Sequence, residues 1–297
     1  MAADILRDPL SLFDVSGRVT VITGASGALG RAAAIALGGL GAPLLLASGS
    51  ADGLAAVAAE VKEAGGEVTT LARRPDTQDD ADAIVAAAAA AYGGVDSVFV
   101  ASGYNKPALI EDMPYEDWQA IMDANVRGPW LMAKAFGQHQ ASRDSPGQDG
   151  AGQDDAGQNA TGQNGAGQGG AGQNGRGKLL LVSSVRGRHG SPAGYSAYST
   201  SKGATDSLTK TLATEWGPRG INVNAIAPTV FRSALTEWIF ADTEAGRASR
   251  ERNYARISLK RLGEPEDFVG IVLYLLSAAS DFVTGQVIYV DGGYTAA

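Results

Sequence analysis

RVTVITGASGALG, residues 18–30, decides how the rest of the chain is read. Residues 18–23 form a short β-branched, apolar run of the kind that suits a buried strand. A glycine turn follows, Gly24-Ala-Ser-Gly27-Ala-Leu-Gly30, and it opens onto an alanine-rich helical stretch at 32–40. Glycines at such a junction let the backbone turn tightly, approach a phosphate and seat the helix on the strand. The start of the helix then offers free N–H groups and a positive dipole end to an anion. In a chain with 40 glycines, GxxGxxG alone also fits a merely structural turn. Its position between a strand and a helix is what makes it informative.

The same alternation continues outward. Apolar runs at 44–47, 67–72, 97–101, 178–183, 221–226 and 286–290 predict further strands. Helical stretches at 52–64, 79–92, 115–139, 197–216 and 265–278 separate them. Continuous apolar strands alternating with helices predict a parallel sheet covered on both faces. The expected fold class is α/β: a single doubly wound, Rossmann-like domain with about seven parallel strands and helices on both sides.

Composition narrows the function classes. The 297 residues are 44% apolar and 19% charged, enough for one sizeable core and too few charges for wholesale disorder. A net charge of −8 without Lys/Arg runs offers no counterion-release surface, so no nucleic-acid partner is expected. The absence of cysteine excludes disulfides, thiolate metal sites and a cysteine nucleophile, and His139 and His189 are too few for a histidine-rich metal centre. Asp4, Arg7 and Asp8 interrupt the first apolar residues, and the longest near-apolar run, 83–92, is too short to span a bilayer. A cytoplasmic protein without membrane contact is expected.

Twelve glycines fall in 145–177, which carries the six pentads PGQDG, AGQDD, AGQNA, TGQNG, AGQGG and AGQNG. The segment has no Leu, Ile, Val or aromatic residue, so it cannot bury surface to offset its ordering entropy. It reads as a disordered Gly/Gln-rich loop inserted into one domain spanning 1–297; a partner-binding tether is the other reading. Joining a helix end to the start of the fifth strand, it should hang from the edge of the sheet opposite the ligand crevice.

A second signal is Tyr198-Ser-Thr-Ser-Lys202. Four residues apart on a helix means one face. An ammonium beside a phenol favours the phenolate and lowers its pKa from about 10 toward working pH, as a general acid/base requires. Ser183 and Ser184 end the fifth strand, where a hydroxyl faces the crevice and can hydrogen-bond a substrate oxygen. Tyr195, seven residues before Lys202, reads as pocket lining. Asp96 reads as a turn or capping residue, and Trp118, Trp130 and Trp216 as packing or subunit-contact residues on helices.

With these residues in place, the chain resembles the short-chain dehydrogenase/reductase family over essentially its whole length outside the pentads. The match includes the turn from Thr23 to Gly30, Asn125-Val-Arg-Gly128, Ser183-Ser184, YSTSK, Asn224-Ala-Ile-Ala-Pro228 and Asp291-Gly-Gly293. The flanks LFDVSGRVTVITG and SDFVTGQVIYVDGG are similar to gluconate 5-dehydrogenase-like members that act on sugar acids or polyols. The resemblance implies hydride transfer between a nicotinamide dinucleotide and an alcohol/carbonyl pair. It implies a tetrad in which Tyr198 exchanges the proton and Ser184 polarises the substrate oxygen. Lys202 would bind the nicotinamide ribose and acidify Tyr198, and Asn125 would hold a water in the relay. The implied cofactor contacts are Gly24, Ser26, Gly27, Leu29, Gly30, Ser48, Arg74, Ala101, Gly103 and Pro228, with Tyr198 and Lys202. A small-molecule substrate is implied, as is a homo-oligomer, tetramer or dimer, built on helices 115–139 and 197–216.

Departures from the family pattern cluster on the cofactor side. Ala28 stands at the middle glycine position, Val100-Ala-Ser-Gly103 replaces NNAG, Arg74-Pro75 replaces the Asp that meets adenine, and Thr229 follows Pro228 where the family has glycine. They leave a second class open, a protein of this fold with a degenerate cofactor site, serving as a non-redox enzyme or a small-molecule binding module. The second strand ends Ala47-Ser-Gly-Ser50, with neither the acid of NAD enzymes nor the arginine of many NADP enzymes. Arg73 and Arg74 can supply positive charge near the adenosine end, which favours NADP(H) over NAD(H); solvation of both is the alternative. Arg186, Arg188 and His189 either line a pocket for an anionic substrate or are solvated loop charges. Segment 229–260, with Arg232 and Trp238, closes over substrate in the family.

Overall fold

The run after Arg18 becomes β1 (Thr20–Thr23), buried at every position, and the glycine turn delivers the chain into α1 (Ala28–Gly39). The alternation holds through β2 (Leu44–Ser48), α2 (Ala51–Glu63), β3 (Val68–Ala72), α3 (Gln78–Tyr92) and β4 (Ser97–Val100). Next come α4 (Tyr115–Met122), a π-helical turn (Asp123–Arg127), α5 (Gly128–Asp144) and β5 (Lys178–Val182). The chain continues through α6 (Ser196–Trp216), β6 (Asn222–Pro228), α7 (Glu237–Phe240), α8 (Glu244–Arg256), α9 (Glu266–Leu276) and β7 (Val287–Val290). This computed structural model describes residues 5–144 and 177–296, so the expected pentad loop of 145–177 lies outside the described residues except for Gly177.

All seven strands are parallel, in the order β3-β2-β1-β4-β5-β6-β7. The order reverses between β1 and β4, and the crevice beyond the strand C-termini at that point is the ligand position of doubly wound sheets. Strand side chains alternate between two cores. Val21, Leu45, Val98, Leu179 and Leu181 pack with Ile84, Met132, Phe136 and Trp216 on one side. Ile22, Leu44, Leu46, Phe99 and Leu180 pack with Leu37, Val57, Phe268 and Val272 on the other. Trp216 sets its edge on Phe136, ring centroids 6.4 Å apart, as the packing expectation has it; Trp130 stays half exposed on α5.

The strand-start edge is tied by polar side chains. Asp96 accepts from the Val19 N–H at 2.9 Å and pairs with Arg143 of α5 at 3.0 Å, so it ties the loop before β4 to β1 and α5 rather than forming a turn or cap. Lys178, fully buried, donates to Asn222 at 3.0 Å and pairs with Asp281 at 2.8 Å. His139 accepts from the Val95 N–H at 3.1 Å on this same edge.

Two local expectations change. The single helix expected at 115–139 is two helices joined by the π turn, because residues 123–127 take one wider turn that sets Asn125 inward. Segment 229–260 contains α7 and α8. The sequence of α8, EAGRASRERNYAR, lacks apolar periodicity, and the Thr243 hydroxyl caps its start by accepting from the Gly246 N–H. Among the described residues, no helix is long and apolar enough to cross a membrane.

Candidate active site

Gly24 has φ +69°, and a methyl group there would meet the Ser102 backbone nitrogen at 2.5 Å. Only glycine allows both that conformation and that contact. At Gly30 a methyl would lie 2.5 Å from the Gly24 carbonyl oxygen, so this glycine lets α1 sit on the turn. The Gly27 N–H donates to the Gly24 carbonyl at 2.9 Å, and Gly27 begins α1 with no side-chain cap. Ala28 is simply the first helical residue. Leu29, partly buried in the same first turn, packs against the core on the α1 side of the sheet. Across the turn, the Ala101 N–H donates to the Thr23 carbonyl at 3.0 Å, which places the replaced NNAG stretch directly against the glycines.

The end of β2 forms the second part of the crevice. The Ser26 hydroxyl donates to Ser48 Oγ at 2.9 Å, and the Ser50 hydroxyl caps α2 by accepting from the Gly53 N–H at 3.1 Å. Arg74, arriving from the end of β3, lies on Gly49: a methyl on that glycine would be 2.4 Å from its Nε. The two neighbouring arginines differ in their commitments. Arg73 pairs with Asp80 at 3.1 Å, whereas no carboxylate among the described residues pairs with the exposed Arg74.

The third part is built by the π turn, the end of β5 and the first turns of α6. Buried Asn125 accepts from the Tyr104 N–H at 2.9 Å and donates to the Tyr104 carbonyl at 2.8 Å and to Ser201 Oγ at 3.0 Å. The Ser201 hydroxyl donates to the Tyr198 carbonyl at 2.7 Å, so Asn125 is joined to the first turns of α6. Gly103 sits where a methyl would lie 3.3 Å from Asn125 Oδ1 and 3.8 Å from Lys202 Nζ. Ser184, buried, accepts from the Arg186 N–H at 3.2 Å and donates to the Pro228 carbonyl at 3.4 Å, bringing the ends of β5 and β6 together.

Tyr198 and Lys202 share the crevice face of α6, with Nζ 5.6 Å from the phenol ring centre. Burial pushes the Tyr198 phenol up to about 12, against the opposing effects of a Ser184 hydrogen bond and the Arg186 charge. Lys202 is not among the groups that move the phenol here. The Lys202 ammonium is committed to the Val182 carbonyl at 2.7 Å, and burial brings it down to about 8, with Asp206 opposing. At neutral pH the phenol holds its proton and the lysine its charge.

The tetrad and the expected cofactor contacts thus converge on one crevice along the ends of β1, β2, β4, β5 and β6. Several neighbours were not anticipated. Tyr104 and Ser201 hold Asn125, while Ser183 donates to Asp206 behind Lys202. Tyr195 stands edge-on to Tyr198, centroids 6.1 Å apart. Tyr294 follows the Asp291-Gly-Gly293 match and Arg256 lies in the 229–260 segment, whereas Ser201 stood inside the YSTSK motif. Among the described residues, no three His, Asp or Glu side chains are placed to hold a metal ion.

Comparison with known proteins agrees with this geometry. Residues 18–148 match the family described as short chain dehydrogenase, and residues 167–295 match the one described as Enoyl-(Acyl carrier protein) reductase. An uncharacterised oxidoreductase of Mycobacterium tuberculosis is 50% identical over 97% of this chain and 94% of its own. Gluconate 5-dehydrogenase of Gluconobacter oxydans is 30% identical over 96% of this chain and 97% of its own. A solved short-chain type dehydrogenase/reductase from Mycobacterium marinum superposes with a TM-score of 0.79 at 29% identity, covering 97% of this chain and 99% of that one. A candidate 2-deoxy-D-gluconate 3-dehydrogenase from Agrobacterium tumefaciens, solved with NADP bound, gives 0.79 at 26% identity, covering 96% of this chain and 99% of its own. The chain belongs to the short-chain dehydrogenase/reductase family and is an NAD(P)-dependent oxidoreductase of that family.

Proposed function

We propose that the protein moves hydride between NADP(H) and the alcohol/carbonyl pair of a small molecule, with Tyr198 as general acid/base. The observation that carries this is the half-buried Tyr198 phenol, set beside Ser184 and sharing a helix face with Lys202, whose ammonium lies 5.6 Å from its ring centre. The phenol, raised by burial, keeps its proton at neutral pH and so has one to give to a carbonyl oxygen as that becomes an alcohol. Ser184 polarises that oxygen, and Asn125 acts as a positioning residue through Ser201.

The crevice suits a dinucleotide. The uncapped first turn of α1, with Gly24, Ser26, Gly27, Leu29 and Gly30, would take the pyrophosphate. Ala101, Gly103 and Pro228 would line the path to the nicotinamide, and Lys202 would hold its ribose. Ser48 at the end of β2 and Arg74 beyond β3, which no carboxylate among the described residues pairs with, would take a ribose 2′-phosphate, which supports NADP(H) over NAD(H). When bound, the dinucleotide supplies or accepts the hydride.

A homo-oligomer accompanies this reading. Ile110, Tyr115 and Trp130 are 71%, 68% and 48% exposed on and beside α4 and α5, a concentration of apolar surface that a second copy would cover.

The test is Tyr198→Phe, assayed against small ketones and keto acids by NADPH oxidation. The ring and its packing survive, so turnover should fall 10²–10⁴-fold, roughly the share of a general acid, with NADPH affinity nearly unchanged. Retention of most activity would remove Tyr198 from this role.

A further inference from the structure

We propose that Arg186 anchors a carboxylate of the substrate beside Tyr198, so that the protein acts on hydroxy acids and their keto acids rather than on neutral alcohols. This rests on the oxidoreductase reading and names its substrate class. The Arg186 N–H donates to Ser184 Oγ at 3.2 Å, which fixes this residue to the serine next to the reacting phenol. Its guanidinium lies 5.4 Å from the Tyr195 ring centre and 5.7 Å from that of Tyr294. The Tyr195 ring is in turn edge-on to Tyr198.

Of its five N–H donors, only those on Nη1 are hydrogen-bonded among the described residues, to the Gly190 carbonyl at 3.2 Å. No carboxylate among the described residues pairs with it, although acidic residues outnumber Lys and Arg 32 to 24. Elsewhere arginines find acids readily, as Arg143 does with Asp96 and Arg232 with Glu264. A partly buried guanidinium costs free energy unless its donors are met, and its planar fork matches a carboxylate. Arg256, 4.3 Å from the Tyr294 ring centre and likewise without a carboxylate partner, adds a second positive charge to the same ring. The Arg186 charge is felt at the reaction centre, where it pulls the Tyr198 phenol downward.

The experiment is thermal unfolding of the protein saturated with NADP, titrated with D-gluconate, D-glycerate and L- and D-lactate. Their neutral counterparts D-glucitol, glycerol and 1,2-propanediol serve as controls. At least one acid should raise Tm by about 2 °C or more while its counterpart does not. Arg186→Met should weaken that acid about 10–100-fold, the loss of a charge-assisted pair, and Arg186→Lys should recover part of it. Both variants should titrate NADPH like the parent, which confirms their folding. Equal shifts from acids and neutral counterparts, or an acid effect that survives Arg186→Met, would overturn the proposal. So would NADPH binding with no response to any acid. Failure of the parent protein to bind either dinucleotide would instead strike the oxidoreductase reading.

Discussion

Tyr198 and Lys202 sit four residues apart, yet burial drives them in opposite directions, the phenol up to about 12 and the ammonium down to about 8. In each case the charged form is the one disfavoured. For Lys202 the sign is clear: its folded value lies below the unfolded one, so the protein without cofactor bears the cost of a buried charge below pH 8. That cost fades as pH rises from about 8 toward 10.5. Lys202→Met should therefore raise the Tm of the cofactor-free protein at pH 7, by the equivalent of about 1–2 kcal/mol after loss of the Val182 hydrogen bond. The advantage should shrink toward pH 10 while cofactor affinity falls. Calorimetric scans at pH 7 and 10 check this; a lower Tm at pH 7 would mean the lysine is stabilising where it lies. The spacing of this pair was legible in YSTSK, whereas the phenol's high value was not, because burial depends on which strands and loops close over α6. Arg74 shows the same limit: its residue type was visible, but its rest on Gly49 depends on β2 and β3 being neighbours.

At the scale of elements, the π turn between α4 and α5 does most to assemble the crevice. Asn125 there meets the backbone of the loop after β4 on both sides, at Tyr104, and reaches α6 through Ser201. Asn125→Ala removes three hydrogen bonds and leaves buried partners unsatisfied, which should cost about 2–3 kcal/mol in urea unfolding. A loss below about 0.5 kcal/mol would show that the loop and α6 hold without it. Residues 115–139 read as one helix from their mostly helix-forming side chains, yet Gly128-Pro129 in the middle was the available signal of a break, since proline lacks the interior N–H and is accepted in the first turn of a new helix, where it stands in α5. The helices of 229–260 were hidden for another reason: α8 is polar around most of its surface, so no apolar stripe announced it. The strands, by contrast, were legible almost residue by residue, since a parallel sheet buried on both faces needs continuous apolar runs.

For the whole molecule, the two edges of the sheet have separate duties. Crevice residues gather at the strand C-termini, whereas Arg143, Asp96 and Lys178 tie the opposite edge. The pentad segment departs after Asp144 and returns at Gly177, where a methyl would touch Gln140 and Phe136 of α5, so both attachment points lie on that opposite edge. Replacing 145–176 with a short Gly/Ser linker should leave kcat/KM and NADPH affinity within about threefold, under 1 kcal/mol. Closure entropy changes only logarithmically with loop length, so stability should hold or rise slightly. Light scattering should give the same mass, above a monomer's, for both proteins. A tenfold loss of activity with the fold intact would mean that the segment reaches the crevice or a neighbouring subunit.

The most direct measurement is a fluorescence titration of the full chain with NADPH and NADH, repeated on Arg74→Ala. Expected is saturable NADPH binding at least about tenfold tighter than NADH, with the difference largely erased in the variant. No saturable binding of either dinucleotide below millimolar concentration would contradict the oxidoreductase assignment, and tighter binding of NADH would contradict the place given to Arg74.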